Sequence, residues 1–352
     1  MRYFEHELYW QEIKGIIAAK NAIENLSNKT IVITGARGLI GSTLVDTIMY
    51  ANEENNLDCH VYAIGRNKKA NVERFAKYID SPLFDFVQAD INTDKLDIAG
   101  NIDYFVHAAS NTHPVYYAQK PIETILTNTI GTINTLNFAV EHSCKRYVFL
   151  SSVEVYGENN SDKQTFAESD FGYIDCNTLR AGYPESKRVG EALCQAYAKE
   201  KRLDFVTARI ARCYGVGLLA EDSKALSQFL RKAANDENIV LKSEGTQYYS
   251  YVYVADVADA LLFLLTKGKR GNAYNVTGKD SDIKLKDLAK KIADEVGKKV
   301  VFDLSEQTER EGYSKATVAV LDGGKLDELG WTAKYSIDEG IGRTLTVMKR
   351  CR

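Results

Sequence analysis

The sequence predicts an α/β fold, a doubly wound parallel sheet with a smaller C-terminal α/β lobe. Three observations carry that expectation. Short runs of β-branched and aromatic residues alternate with stretches of helix formers, the pattern of right-handed βαβ units whose strands are covered on both faces. The first run, TIVIT at 30–34, ends in a glycine-rich turn, GARGLIG at 35–41, that opens onto a helical stretch. Later apolar runs are separated by helix formers that would sit over the carboxyl ends of the strands.

Taken in order, residues 1–28 read as a separate amphipathic helix, with Tyr9, Ile13, Ile16, Ile17, Ile23 and Leu26 on one face. Such a stripe is expected to pack on the body of the protein or on a second copy, a membrane surface being the lesser reading. Strands are expected at 30–34, 60–64, 85–87, 104–107 and 146–151, with helices at 42–50 and 121–141. Runs at 205–210 and 273–276 look like strands returning to the same sheet. Segments 183–200, 222–236 and 284–296 are rich in helix formers.

Composition bounds the function classes. Of 352 residues, 45% are hydrophobic and 26% charged, enough for a large buried core. A net charge of -3 favours neither nucleic acid nor an anionic membrane as partner. The six cysteines lie apart, without CxxC pairs or metal-ligand spacing, so reduced thiols and no metal site are expected. The first residues carry charges where a signal peptide needs an apolar run, and no run approaches about 18 apolar residues. The expectation is a cytoplasmic protein.

The turn at 35–41 predicts a dinucleotide site. Gly35 suits the tight turn, Gly38 lets the backbone approach a pyrophosphate, and Gly41 permits close helix–strand packing. Arg37, Leu39 and Ile40 lie between them, and the helix N-terminus offers free N–H groups to phosphate. This is the mark of a Rossmann sheet. The expected organisation is an N-terminal helix at 1–28, a dinucleotide-binding Rossmann domain at 29–178 and a mainly substrate-binding lobe at 179–352. Where an acidic residue would select NAD, the second strand ends in Gly65 followed by Arg66, Asn67, Lys68 and Lys69. Arg66 and Arg37 therefore favour NADP over NAD, since guanidinium pairs bidentately with phosphate; a solvated turn is the other reading of Arg66. Asp90 could accept from the adenine amino group or cap its own turn.

The reactive residues come next in the chain. Ser152 and Glu154 lie in SSVEVYG at 151–157, after the fifth strand. Tyr183 and Lys187 follow in YPESK at 183–187, four apart and so on one helix face. A free phenol titrates near about 10 and needs help to act as a base at neutral pH. A neighbouring ammonium and a positive nicotinamide would both favour the phenolate. Ser152 would hold the same substrate oxygen.

These motifs resemble those of the nucleotide-sugar epimerase/dehydratase family of extended short-chain dehydrogenases, closest in pattern to UDP-glucuronate decarboxylases. The matching pieces are TGARGLIG, DI at 90–91, HAAS at 107–110, TNTIGTIN at 127–134, SSVEVYG, the Tyr183/Lys187 pair, YVYVADVADAL at 251–261 and LGW at 329–331. The resemblance implies cofactor contacts from Asp90, Ile91, Ala108, Ala109, Ser110 and Asn128, in addition to the glycine turn, Tyr183 and Lys187. It also implies a nucleoside-diphosphate sugar substrate, a C-terminal lobe that holds the nucleotide, oxidation at the sugar C4, and a homodimer paired through helices.

Which reaction follows the 4-keto stage is left open by the residues. Dehydratases and decarboxylases of the family resemble this chain in having Glu at the position of Glu154, where a carboxylate could take the C5 proton. Val153 stands where one dehydratase type has an Asp that protonates the leaving hydroxyl. Tyr249 stands where the decarboxylases have an Arg that meets the substrate, and Arg212 where the family has Asn. Arg180 matches the decarboxylases. Asn111 and His113, after HAAS, are expected to face the sugar. An epimerase/dehydratase is the leading reading. Beside it stand a decarboxylase, a plain 4-epimerase, an NADPH-consuming reductase and a non-catalytic dinucleotide sensor.

Overall fold

The computed structural model describes residues 2–19, 23–112, 114–159, 165–303 and 316–351. Its centre is a seven-stranded sheet in which every pairing is parallel. The first five strands are β1 (Thr30–Thr34), β2 (His60–Gly65), β3 (Phe84–Gln88), β4 (Tyr104–His107) and β5 (Arg146–Ser152), followed by β6 (Phe205–Ile210). After the short strands β7 (Arg212–Tyr214), β8 (Ile239–Leu241) and β9 (Tyr248–Tyr253) comes the last sheet strand, β10 (Ala273–Val276). The order across the sheet is β10-β6-β5-β4-β1-β2-β3. The strand order reverses between β1 and β4, the switch point at which ligands bind in open α/β sheets. All seven expected strands are present, each within one residue of its sequence bounds.

Helices cover both faces. One face packs against α2 (Leu39–Asn55) and, after α3 (Lys68–Arg74), α4 (Pro114–Gln119), α5 (Pro121–Glu141), α6 (Gly182–Glu200) and α7 (Ala225–Ala234), the late helix α8 (Val254–Lys267), with α1 (Glu7–Ala18) lying over α2 and α8. The other face packs against α5 and α6. Ile31, Val32 and Ile33 of β1 are fully buried, as a strand covered on both sides requires. Helix α2 starts on Gly38 and stops at Asn56, whose left-handed backbone (φ 50) ends the helical pattern.

The second lobe is built on β9. It pairs antiparallel with β11 (Asp282–Lys284) and parallel with β7 and with β13 (Val318–Ala319). Strand β8 pairs with β12 (Val300–Phe302). Helices α9 (Leu285–Glu295), α10 (Gly324–Leu329) and α11 (Ile337–Arg350) complete it. Ser336 caps α11 reciprocally with Glu339, a capping box.

The N-terminal segment differs from the single helix expected. Helix α1 ends at Ala18, and Ile23 and Leu26 lie on a separate 3-10 turn, Ile23–Leu26. The spacings from Ile16 to Ile23 and on to Leu26 fit a continued helix, but a second short turn brings the same side chains to the same core. Tyr9, Ile13, Ile16, Ile23 and Leu26 are all buried, and α1 packs on α2, α8 and α11. None of the described helices is long and apolar enough to cross a membrane.

Candidate active site

The glycine turn lies at the switch point. Gly35 has φ 66, and a Cβ there would fall 2.8 Å from the Ala108 carbonyl group in the loop after β4. A Cβ on Gly41 would come within 2.4 Å of Gly35 O. Gly38 caps α2 without a side chain, so no side-chain oxygen takes the first N–H groups of the helix, those of Leu39 and Ile40 among them. Backbone donors at a helix N-terminus, reached only through a surface stripped of side chains, fit a dinucleotide pyrophosphate.

The ends of β1 and β4 are tied beneath this turn. Thr132 gives its proton to Asn128 O (2.8 Å), so it accepts from His107 Nε2 (3.2 Å). His107 Nδ1 then accepts from Thr34 (2.9 Å), whose oxygen in turn accepts from Ala109 N (3.2 Å). Burial first, and Lys187 second, push the His107 pKa down to about 3, which keeps this chain of bonds neutral.

The other expected cofactor residues divide. Ala108, Ala109 and Ser110 border the turn, and Ile91 is buried against Gly131 of α5. Asn128 is fully buried with both ends of its amide on protein, accepting from Ser110 Oγ (2.7 Å) and donating to Ser186 Oγ (2.9 Å). It therefore fixes the site's walls. Asp90 accepts from Asn92 N (2.9 Å), the local cap foreseen as its other reading. Arg66, expected to meet a 2′-phosphate, is paired with Glu123 at the start of α5 (2.6 Å). Arg37 lies 3.8 Å from Glu221.

The reactive residues meet at the carboxyl end of β5. There the strand passes into the 3-10 turn Val153–Tyr156, which Ser152 caps by accepting from Glu154 N (3.2 Å). Tyr183 and Lys187 lie one turn apart on α6, and both are buried. Burial pushes the Tyr183 phenol up to about 12, opposed by the nearby hydroxyls of Ser152 and Tyr117. Lys187 donates to Leu150 O (2.8 Å), and burial holds its ammonium down to about 7 against the pull of Glu191. Glu154 raises the phenol's pKa and Arg180 lowers it, while Lys187 uses one of its three donors on the backbone of β5.

Tyr117 was not foreseen. Its ring stacks on Tyr183 with centroids 4.7 Å apart, and Arg180 lies 4.8 Å over it. The sequence VYYAQK offers two adjacent tyrosines and no period to say which one turns inward.

Glu154 is held between two arginines. Arg180 Nη2 reaches one carboxylate oxygen at 2.7 Å and Arg212 Nη2 the other at 3.4 Å. The Arg212 guanidinium lies 3.4 Å over the ring of Tyr249, whose hydroxyl donates to Ala316 O. Among the described residues, Arg180 Nε and Nη1, Arg212 Nη1 and Asn111 Nδ2 are buried without a hydrogen-bond partner. His113 lies outside the described residues. Behind the site, Arg209 grips Glu191 at 3.0 and 2.7 Å while Ser151 donates to Glu191 at 2.6 Å, joining β5, β6 and α6. Among the described residues, no group of three or more His, Cys, Asp or Glu side chains is placed to hold a metal.

A phenol, a hydroxyl and a carboxylate thus share one corner, beside backbone donors suited to a pyrophosphate. The corner can take a proton from a hydroxyl, hold the resulting oxygen and move a second proton nearby.

The model of the NAD dependent epimerase/dehydratase family matches residues 31–277. UDP-glucuronic acid decarboxylase 6 of Arabidopsis thaliana is 30% identical over 316 residues, 90% of this chain and 87% of that protein. UDP-glucuronic acid decarboxylase 1 of Xenopus tropicalis is 29% identical, covering 92% of this chain and 72% of that one. Among solved structures, a dTDP-glucose 4,6-dehydratase from Streptomyces venezuelae with NAD bound shares the fold with a TM-score of 0.79 and 24% identity, over 91% of this chain and 97% of that one. A UDP-glucuronic acid 4-epimerase from Bacillus cereus, in complex with UDP-glucuronic acid and NAD, shares it with a TM-score of 0.76 and 20% identity, over 92% and 100%.

Proposed function

The chain belongs to the NAD dependent epimerase/dehydratase family, and from that premise we propose that it oxidises a nucleoside-diphosphate sugar at C4 and rearranges the transient ketone. The observation that carries the reading is the convergence of Ser152, Glu154 and Tyr183 at the carboxyl end of β5, next to the glycine turn. A nicotinamide dinucleotide, when bound, supplies the hydride acceptor and returns the hydride.

The chain's own residues do the rest. Gly35, Gly38 and Gly41 let the backbone of α2 reach the pyrophosphate. Tyr183 removes the proton of the C4 hydroxyl, and Ser152 holds the oxygen in line for that transfer. Once C4 is a ketone, the C5 proton is acidified, and Glu154 takes it. Arg180 and Arg212 hold Glu154 in place for that step. Residues 29–178 hold the dinucleotide and 179–352 mainly the nucleotide-sugar.

Finer assignments belong to the same proposal. NADP is favoured over NAD because the end of β2 lacks a carboxylate and carries Arg66, which can serve Glu123 with one edge and a 2′-phosphate with the other. A homodimer is supported by an exposed apolar stripe on α5, Ile122, Ile125, Leu126 and Ile130, with Val189 of α6 nearby in the fold. The six free cysteines favour a cytoplasmic setting.

The decarboxylase alternative is favoured by one feature, Arg180 beside Glu154, together with the decarboxylase relatives. Mass spectrometry of a nucleotide-sugar panel separates the outcomes. Loss of water means dehydratase, loss of carbon dioxide means decarboxylase, and an altered sugar NMR spectrum at constant mass means epimerase. No change with any sugar of the panel would reject the proposal.

A further inference from the structure

We infer that Glu12 is a positioning residue, the middle of a strap formed by residues 2–18 that ties the lobe built on β9 to the dinucleotide half and so sets where the sugar stands against the nicotinamide. This goes beyond the reading above and rests on it for the reaction that is positioned.

Residues 2–18 precede the stretch matched by the family model, 31–277. They are nevertheless anchored on both halves of the molecule through buried polar groups. Tyr9 and Glu12 stand three apart on one face of α1, and both are buried. Tyr9 donates to Asp46 of α2, the helix that carries the glycine turn. Glu12 accepts from Tyr253 (2.5 Å), the last residue of β9, and from Arg343 of α11 (2.9 Å). Tyr3 spans the two halves by itself. Its hydroxyl lies 3.4 Å from Ser42 Oγ, one residue past Gly41, and a Cβ on Gly217, in the loop after β7, would fall 3.1 Å from its ring. Lys334, just before α11, donates to Gly15 O (3.1 Å).

Magnitude separates this strap from the other bridge between the halves. Arg37 and Glu221 stand 3.8 Å apart with side chains 37% and 57% exposed, a pair that contributes little in water. Glu12 is 2% exposed, and burial raises its pKa against the opposing bonds from Tyr253 and Arg343. Water cannot replace those donors, so losing them is costly. Apolar side chains would hold α1 at least as firmly without that desolvation; what a buried carboxylate adds is direction.

The direction it fixes leads to the reacting corner. Tyr253 stands opposite Tyr214 in the pair of β7 and β9, and the same register places Arg212 opposite Tyr251. Arg212 in turn reaches Glu154 (3.4 Å). A shift of the Tyr253 hydroxyl therefore moves the support of Glu154 relative to the glycine turn, and a misplacement of about 1 Å can cost about a hundredfold in rate.

Hydrogen exchange read by mass spectrometry on the full chain tests the strap without a substrate, using Glu12→Leu. Exchange should quicken at least about tenfold at 215–222 and 248–253, while 30–34, 104–107 and 146–152 keep their wild-type rates. With whichever sugar of the panel reacts, kcat should fall about tenfold and KM stay within about twofold. Glu12→Gln keeps an acceptor for Tyr253 and Arg343 and should behave as wild type. Exchange that quickens everywhere overturns the inference, because Glu12 would then serve general stability; exchange that quickens nowhere overturns it too. Local quickening with an unchanged kcat overturns the positioning. If Tm shows that Glu12→Leu does not fold, Tyr253→Phe keeps the ring, removes the bond and carries the same expectations. If no sugar reacts, the function proposed above has failed, and the exchange pattern still decides whether the strap joins the halves.

Discussion

The rings of Tyr117 and Tyr183 stack with centroids 4.7 Å apart and planes 27° from parallel. The Tyr117 hydroxyl also draws the Tyr183 pKa down, so one side chain supplies both a flat support and a nearby donor. That donor favours the phenolate, which burial otherwise opposes. Tyr183→Phe is expected to lower turnover by about a hundredfold or more while the bound dinucleotide is retained. Tyr117→Phe keeps the ring and removes the donor. Its rate should fall about tenfold at neutral pH, and the limb of the pH–rate profile that reports the phenol should move to higher pH. An unchanged profile would remove Tyr117 from this role.

Lys187 gives a stability prediction with a definite sign. Its pKa is held down to about 7 in the folded chain, against 10.5 for an ordinary lysine. Between those values the unfolded chain binds the extra proton, so wild-type stability rises with pH through that window. Below it the full cost of the buried charge is present. Lys187→Met should therefore stabilise the protein by a few kcal/mol at or below neutral pH, and the gain should fade as pH approaches that of free lysine. Turnover should be lost in the same variant. Melting curves across the window check it; a variant less stable throughout would show that the bond to Leu150 O outweighs burial.

The sheet was legible because β-branched runs such as TIVIT are buried on both faces and bounded by turns. Helix α8 was not. Residues 254–265 are buried all round, so their apolar run shows no helical face and cannot be told from a strand by period. The short strands β7, β8, β11 and β12 are too brief to carry any period. In the site, Ser152, Glu154, Tyr183 and Lys187 were legible from motif and spacing. The clasp of Glu154 by Arg180 and Arg212 was hidden, because it joins residues that lie 26 and 58 positions away in the chain. The same holds for Arg66, whose partner Glu123 is 57 positions on. Sequence spacing reports one element's face; it does not report what another element brings to it.

The two glycines of the cofactor turn should fail differently. At Gly35 a methyl group meets both a left-handed φ of 66 and the Ala108 backbone at 2.8 Å. Gly35→Ala is expected to destabilise the fold by roughly 2 kcal/mol or more and to lose the dinucleotide. Gly38 has an ordinary φ of -64, and its nearest contact would be Gly35 O at 3.1 Å. Gly38→Ala should keep most of the stability and weaken dinucleotide binding. Tm and cofactor content of the purified variants separate the two; equal loss of Tm would count against the argument.

The N-terminal helix is tied to the cofactor turn through one buried carboxylate. Asp46 of α2 accepts from Arg74 of α3, from Tyr9 of α1 and from Tyr78 (3.0 Å). Arg74 is further held by Tyr3 (2.8 Å) and lies over the Phe4 ring. Asp46 is 1% exposed, so water cannot take the place of these donors. Arg74→Met leaves it facing two tyrosines and no cation, at an expected cost of about 3–5 kcal/mol in urea unfolding. Adding Asp46→Leu should recover much of that loss, because removing both charges spares the burial penalty. Helix α2 carries the glycine turn on its N-terminus, so the single variant should also release dinucleotide more readily than the double one. If both variants unfolded alike, the cluster would be packing through shape, and the charge pair would contribute little.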